Sequence, residues 1–247
     1  MRQVVLDQLE ALGLKAMRQA LERQLSAGTH AEYSFEERLG ELIECERVHR
    51  DDRRLKERIR KAGLSPRTRL EELDGATARG IDRKTLEFLG TDTWVKEHRN
   101  VTVTGATGVG KTFLACALAH RACQFGFSSR FYRLPRLLGE LEIARADGTY
   151  RTRLSALARI DVLVLDDWGL APLNPSARRD LLEILDDRYQ KRSTLLAGQL
   201  PVENWHDWIA DPSIADAILD RIVHNAYRLT LTGESQRKTR GLPKHTT

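Results

Sequence analysis

The run Gly105-Ala106-Thr107-Gly108-Val109-Gly110-Lys111-Thr112 follows a β-branched stretch, Val101-Thr102-Val103-Thr104, and precedes an apolar one, Phe113-Leu114-Ala115-Cys116-Ala117-Leu118-Ala119. Strand, glycine-rich turn and buried helix in that order commit this part of the chain to a phosphate-binding loop at the head of an α/β sheet. The glycines let the backbone turn tightly, so that successive N–H groups point inward at phosphate oxygens and the helix N-terminus adds its partial positive charge. The contacting stretch then runs from Gly105 through Phe113, with Lys111 placed to reach the β- and γ-phosphates of ATP and Thr112 to hold Mg²⁺. A chance match in a glycine-containing loop would not carry the right flanks at both ends.

A second acidic site fits the same ligand. Ile160-Asp161-Val162-Leu163-Val164-Leu165-Asp166-Asp167 is an apolar run ending in two carboxylates. It reads as a buried parallel strand that delivers acids to its C-terminal end, where open α/β sheets bind ligands. Asp166 is the metal-facing acid, shared with Thr112. Asp167 is the group that polarises a water attacking the γ-phosphate. Standing alone, the Asp pair could simply end the strand and open a loop; the upstream loop favours the catalytic assignment.

The remaining segments complete a sheet. Ser129–Arg133 is a second strand candidate, Thr194-Leu195-Leu196-Ala197-Gly198-Gln199 a fourth and Tyr227–Thr232 a fifth. Leu134–Ala146 has helical apolar spacing, and Arg178–Gln190 is amphipathic with Pro175 at its start, where proline suits a first turn. Strands alternating with helices predict a five-stranded parallel sheet covered on both faces.

Charge is distributed unevenly over the 247 residues, whose net charge is +5. Arg47 to Arg69 holds ten basic residues against three acids, and the stretch from Arg221 onward six against one, which leaves the rest of the chain at −7. Concentrated positive charge is what nucleic-acid phosphates attract, and Arg47, Arg50, Arg53, Arg54, Arg58, Arg60 and Lys61 are the DNA-contact candidates. A solvated helix face would show the same run of charge. No apolar run approaches the roughly 20 residues that span a bilayer, and the charged N-terminus is no signal peptide. Cys45, Cys116 and Cys123 have no metal-ligand spacing and the histidines are scattered. These features predict a cytoplasmic protein without membrane partners.

Leu6, Leu9, Leu12, Ala16, Ala20 and Leu21 form one helical pattern, and a second runs from Phe35 through Leu39, Leu42 and Ile43 to Leu55 and Ile59. Gly28-Thr29-His30 separates them, Ser34 with Glu37 three residues on offers a capping box, and Gly63-Leu64-Ser65-Pro66 ends the second helix. The expected domains are therefore a helical module over 1–65, a connector over 66–98 and an ATPase domain over 99–247. Trp168, Trp205 and Trp208 suit core or subunit packing better than base stacking.

The basic N-terminal helix, VTGATGVGKTFLACAL, the acidic strand followed by Trp168-Gly169, Gln199-Leu200-Pro201-Val202-Glu203, and Asp220-Arg221-Ile222-Val223-His224-Asn225-Ala226 before Gly233-Glu234-Ser235 together resemble IstB-like transposition helper ATPases. These AAA+ proteins of bacterial insertion sequences are similar to the DnaC-type helicase loaders, and the likeness covers nearly the whole chain. It implies that Gln199 is the sensor amide facing the γ-phosphate, and that Arg221 is an arginine finger reaching a neighbouring copy's nucleotide. Without the resemblance Arg221 reads as a surface ion pair. It also implies an AAA+ fold, action on duplex DNA, a cognate transposase as partner and DNA-stimulated ATP hydrolysis. The chain ends soon after its last expected strand, which predicts the lack of a full C-terminal lid and self-assembly into a ring or helical filament with ATP at each junction. Ala197-Gly198 departs from the family's usual Thr-Ser before the sensor. Asp167 replaces a more common Glu, one methylene longer, and a displaced base slows turnover. A helicase loader acting on single-stranded DNA is the nearest competing reading; a stand-alone P-loop kinase of small metabolites is a third, which leaves the basic helix unexplained.

Overall fold

Five parallel strands stand in the order β2-β3-β4-β1-β5 in a computed structural model that describes residues 1–26, 32–65, 68–72 and 80–235. They are β1 (Asn100–Gly105), β2 (Ser129–Arg133), β3 (Val162–Trp168), β4 (Ser193–Gly198) and β5 (Ala226–Leu231), with every neighbouring pair parallel. All five lie within one or two residues of the segments expected from sequence. The β-branched and apolar runs of β1, β3 and β4 make them the three inner strands, which is why they lack the in–out alternation of a half-buried strand.

The helix after the phosphate loop, α6 (Lys111–Gln124), packs across β1, β2, β3 and β4. A separate core joins α7 (Leu134–Ala146), α8 (Tyr150–Arg159), α9 (Pro175–Arg188), α10 (Trp205–Ile209) and α11 (Pro212–Val223) to Leu163, Leu165 and Leu196 of the sheet. Pro175 opens α9 as expected, behind Asn174, whose side chain caps the Ala177 N–H at 2.8 Å. Helices α8 and α10 were not anticipated. Only Leu154 and Leu157 are buried on α8, too few to stand out as a periodic stripe, and α10 is little more than one turn.

Before the sheet, α4 (Arg83–Leu89) and α5 (Thr93–Lys96) occupy part of the stretch expected as a connector, and Leu89, Trp94 and Val95 are buried. In the N-terminal region the first helical pattern is broken into α1 (Arg2–Ala11) and α2 (Lys15–Ser26), because Gly13 takes a left-handed conformation with φ of 71° and ends α1. Helix α3 (Phe35–Ala62) begins at the expected capping box: Glu37 N–H donates to Ser34 Oγ at 3.2 Å, and Ser34 N–H to Glu37 Oε2 at 2.8 Å. It ends at left-handed Gly63, where Leu64 N–H returns to Ile59 O.

The chain divides into two compact units, Met1–Glu57 and Arg58–Thr247, the division falling inside α3. In the first unit Glu46 is buried and accepts from the Ala16 and Met17 N–H groups at 3.1 and 3.2 Å, so one helix supplies the N-terminal cap of another. Burial pushes the Glu46 carboxyl up, but Arg50 and those two N–H groups outweigh it and hold the carboxyl below the usual range. No described helix is long and apolar enough to cross a membrane. The Gly28-Thr29-His30 separator, Pro66 and the basic tail from 236 onward lie outside the described residues.

Candidate nucleotide-binding site

The loop between β1 and α6 is shaped by three glycines with positive φ: Gly105 at 143°, Gly108 at 83° and Gly110 at 107°. At Gly105 no side chain would fit, because a Cβ there would run into the Leu231 carbonyl of the adjacent strand. Lys111 is buried at the first position of α6 and its Nζ donates to Ala106 O at 2.7 Å. The first turn of α6 lines a cavity of about 760 Å³ with Thr107, Gly108, Gly110, Lys111, Thr112 and Phe113. That volume is in the range of cofactor and ligand pockets. Among the expected loop residues, Gly105, Ala106 and Val109 frame the turn without lining the cavity.

The same cavity is bounded by Asp166, Asp167, Gly198 and Gln199, so the segments that the sequence keeps far apart converge as expected. Thr112 Oγ1 donates to Asp166 Oδ2 at 2.9 Å. Burial raises the Asp166 carboxyl above the ordinary carboxylate range, against the hydrogen bond from Thr112. A hydroxyl beside a carboxylate costly to ionise in isolation is a hard-oxygen pair that fits Mg²⁺, which favours one or two protein oxygens plus substrate phosphates. Among the described residues no group of three His, Cys, Asp or Glu could hold a metal by itself.

Asp167 adopts a left-handed backbone, φ 61°, where β3 loses its register with β4 between Leu165 and Trp168. The irregularity turns successive carboxylates in different directions: Asp166 is buried toward Thr112, while Asp167 is partly exposed with Arg133 Nε 3.8 Å away. It also brings the Trp168 carbonyl onto Gly198, where any Cβ would collide with it. The glycine that departs from the family pattern is thus required by the backbone approach at the end of β3. Beyond it, Gln199 Oε1 accepts from Thr107 Oγ1 at 2.7 Å, tying the end of β4 to the glycine-rich loop.

Two cavity walls are fixed by indoles. Trp168 and Trp205 are buried, with Trp168 5.0 Å from Trp205 and 5.1 Å from Trp208 between ring centroids. Trp205 Nε1 donates to Leu200 O at 3.0 Å and Trp208 Nε1 to Ala171 O at 2.7 Å, which anchors the loops after β4 and β3. The tryptophans are packing residues, the reading preferred from sequence over base stacking.

Sequence reasoning missed Arg188, buried at the end of α9, where it donates to the Leu157, Ile160 and Ser193 carbonyls and to Thr194 Oγ1. Burial lowers its pKa to about 9, which leaves it charged at neutral pH. Among the described residues it forms no ion pair; convergent carbonyl oxygens solvate its charge and the Asp161 carboxylate supports it from farther away, a pattern without local sequence signature.

Arg221 does not line the cavity. It lies on α11 with Nε 2.6 Å from Asp186 Oδ1 and Nη1 2.9 Å from Ala217 O. The basic residues of α3 are unequal. Arg47 pairs with Glu44 and Asp51, Arg50 with Glu46, and Arg54 with Asp51. Arg58 Nε donates to Cys123 O at 3.0 Å, a tie to α6 rather than a free cation. Arg53, Arg60 and Lys61 are exposed.

The family model for IstB-like ATP-binding proteins matches residues 7–242. A putative insertion sequence ATP-binding protein of Sinorhizobium fredii is 47% identical over 94% of this chain and 95% of its own length. The insertion sequence IS21 putative ATP-binding protein of Pseudomonas aeruginosa is 32% identical over 97% of this chain and 92% of its own. Among solved structures, the fold is similar to DnaI, with a TM-score of 0.56 and 24% identity over 67% of this chain and 92% of that one. DnaC helicase loader is similar with a TM-score of 0.50 and 23% identity over 60% and 89%. The phosphate loop, the acidic strand and the parallel sheet thus converge with the sequence match: this chain belongs to the family of IstB-like ATP-binding proteins of insertion sequences.

Proposed function

We propose that the protein is an ATP-dependent transposition helper that assembles on duplex DNA, presents a deformed target to a cognate transposase and resets through ATP hydrolysis. The observation that carries this reading is the one cavity that gathers Lys111, Thr112, Asp166, Asp167 and Gln199. Thr112 and Asp166 would hold Mg²⁺ together with β- and γ-phosphate oxygens, and its charge would offset that of the phosphates. Lys111 would leave Ala106 O for the same oxygens, and Asp167 would orient the attacking water, with Gln199 beside it. Asp167 is short for that task, which favours slow turnover and a timing role.

Arg221 in the isolated chain is held by Asp186. In an assembly it would exchange that carboxylate for the nucleotide of a neighbouring copy, where a planar guanidinium spreads charge over several phosphoryl oxygens. Subunits would stack as a ring or helical filament, with DNA on a basic surface that includes the exposed Arg53.

Sedimentation of the protein with Mg·ATP, with and without duplex DNA, tests the reading. Large complexes formed only when both are present, together with faster ATP turnover, are expected. A protein that remains a single copy under those conditions overturns the assembly model. A response confined to single-stranded DNA moves the function to a helicase loader.

A further inference from the structure

The Gly233-Glu234-Ser235 stretch has no part in the cavity described above, yet it reaches the phosphate loop. Strand β5 runs beside β1 in register from Asn100↔Ala226 to Gly105↔Leu231. The chain therefore leaves β5 level with the start of the loop. Gly233, with φ of 105°, reverses it, and Ser235 lands on Gly108: a Cβ placed on Gly108 would collide with the Ser235 hydroxyl and stand 2.8 Å from its Cβ. Leu231 and Ser235 thus bear on Gly105 and Gly108, two of the three glycines that shape the turn. The segment is backed in its turn by Gly80, where an added Cβ would lie 3.1 Å from Thr232 Oγ1.

We infer that Thr232–Ser235 braces the phosphate loop from outside, with Ser235 a positioning residue that fixes the turn at Gly108. The inference rests on the ATP-binding role of that loop. A loop whose N–H groups must converge on phosphate works best when its shape exists before the ligand arrives, since ordering it on binding subtracts from affinity. Glycines at positive φ are free to adopt many other conformations, so the loop's own sequence does not lock the turn. Contact with a neighbouring segment removes that freedom. It also accounts for the small residues on both sides of the contact: Gly108 leaves room for Ser235, and Gly233 allows the reversal that brings Ser235 there.

The test is a double-mutant cycle on the full chain, read as affinity for a fluorescent ATP analogue in Mg²⁺ buffer. Ser235→Gly should weaken binding about fivefold, the equivalent of about 1 kcal/mol of lost packing against the turn. It should also speed amide hydrogen exchange across residues 105–111 without nucleotide, while β4 peptides exchange as before. Gly108→Ala should cost more than about tenfold, from its positive φ and the collision together. Adding Ser235→Gly to Gly108→Ala should recover at least about threefold, because the colliding side chain is gone. Strictly additive losses, or Ser235→Gly indistinguishable from wild type in both affinity and exchange, overturn the brace. Failure of the wild-type protein to bind the analogue would instead overturn the nucleotide reading.

Discussion

In the first unit, Met1–Glu57, helices α1 to α3 bury Leu6, Ala20 and Leu42, while Val4, Val5, Leu12, Leu25, Phe35, Ile43 and Val48 are exposed. In the second, Val101, Val103, Val162 to Leu165, and Leu195 to Ala197 are all sealed inside the sheet, and exposed large apolar side chains reduce to Phe125, Ile143 and Leu170 among the described residues. The first unit relies more on polar ties: the Glu46 cap, the Ser34–Glu37 box, and Gln24 Nε2 donating to Arg38 O at 3.1 Å. The sheet has no such need, because parallel strands bury both faces and pair their backbones internally. A unit with little core and an uncovered apolar surface opens at lower free energy and has surface available for partners. The rigid unit can hold catalytic groups in fixed geometry.

Substitutions that affect one unit and spare the other test this contrast. Lys111→Ala should reduce ATP affinity by more than about a hundredfold, because the buried cation proposed to meet the phosphates is lost. Nucleotide-free DNA binding should stay as in wild type, as a filter-binding assay would show. Loss of both activities together would mean that the units do not act separately. Asp167→Asn should slow ATP turnover about a hundredfold while leaving affinity within a few fold, the signature of a group that acts on water rather than on binding. Equal losses in turnover and affinity would remove Asp167 from the role of base.

Replacing Arg53 of the first unit by alanine should weaken DNA binding about threefold at moderate salt and flatten its logarithmic salt dependence by about one. DNA-independent ATP turnover should not change. An unaltered salt slope would put the DNA surface elsewhere. Glu46→Ala should lower the unfolding free energy of the first unit by about 1 kcal/mol through loss of a cap. Because the Glu46 carboxyl is held below its usual range, its contribution is complete above the ordinary carboxylate pKa and disappears as pH falls through the lower folded value. Urea unfolding at pH 7 and in acid should therefore show the wild-type advantage at neutral pH and its decline in acid.

Local features were legible in advance where one short segment contains its own reason. The phosphate loop, the capping box at Ser34, the stop at Gly63 and the proline start of α9 each depend on residues within a turn of one another, and each stands where its sequence placed it. The strands were legible because burial on both faces leaves continuous apolar runs. The break between α1 and α2 was not, since the leucine spacing continues across Gly13. Basic character was visible along α3, but the partners of its charges were not: Arg58 is engaged by the Cys123 carbonyl, and intrahelical acids hold Arg47, Arg50 and Arg54.

The order of residues alone determined that a glycine-rich loop stands between a strand and a helix and that two acids stand at the end of a buried strand, because steric freedom and hydrophobic periodicity act over a few neighbours. The tertiary structure decided why Gly198 must be glycine, where Arg188 places its charge, and what touches Gly108. Those depend on the Trp168 carbonyl, on the Leu157 and Ile160 carbonyls at the end of α8, and on Ser235, which lie from about thirty to more than a hundred residues away. Contacts between distant segments are created by the packing of the sheet, and no window of sequence contains both partners.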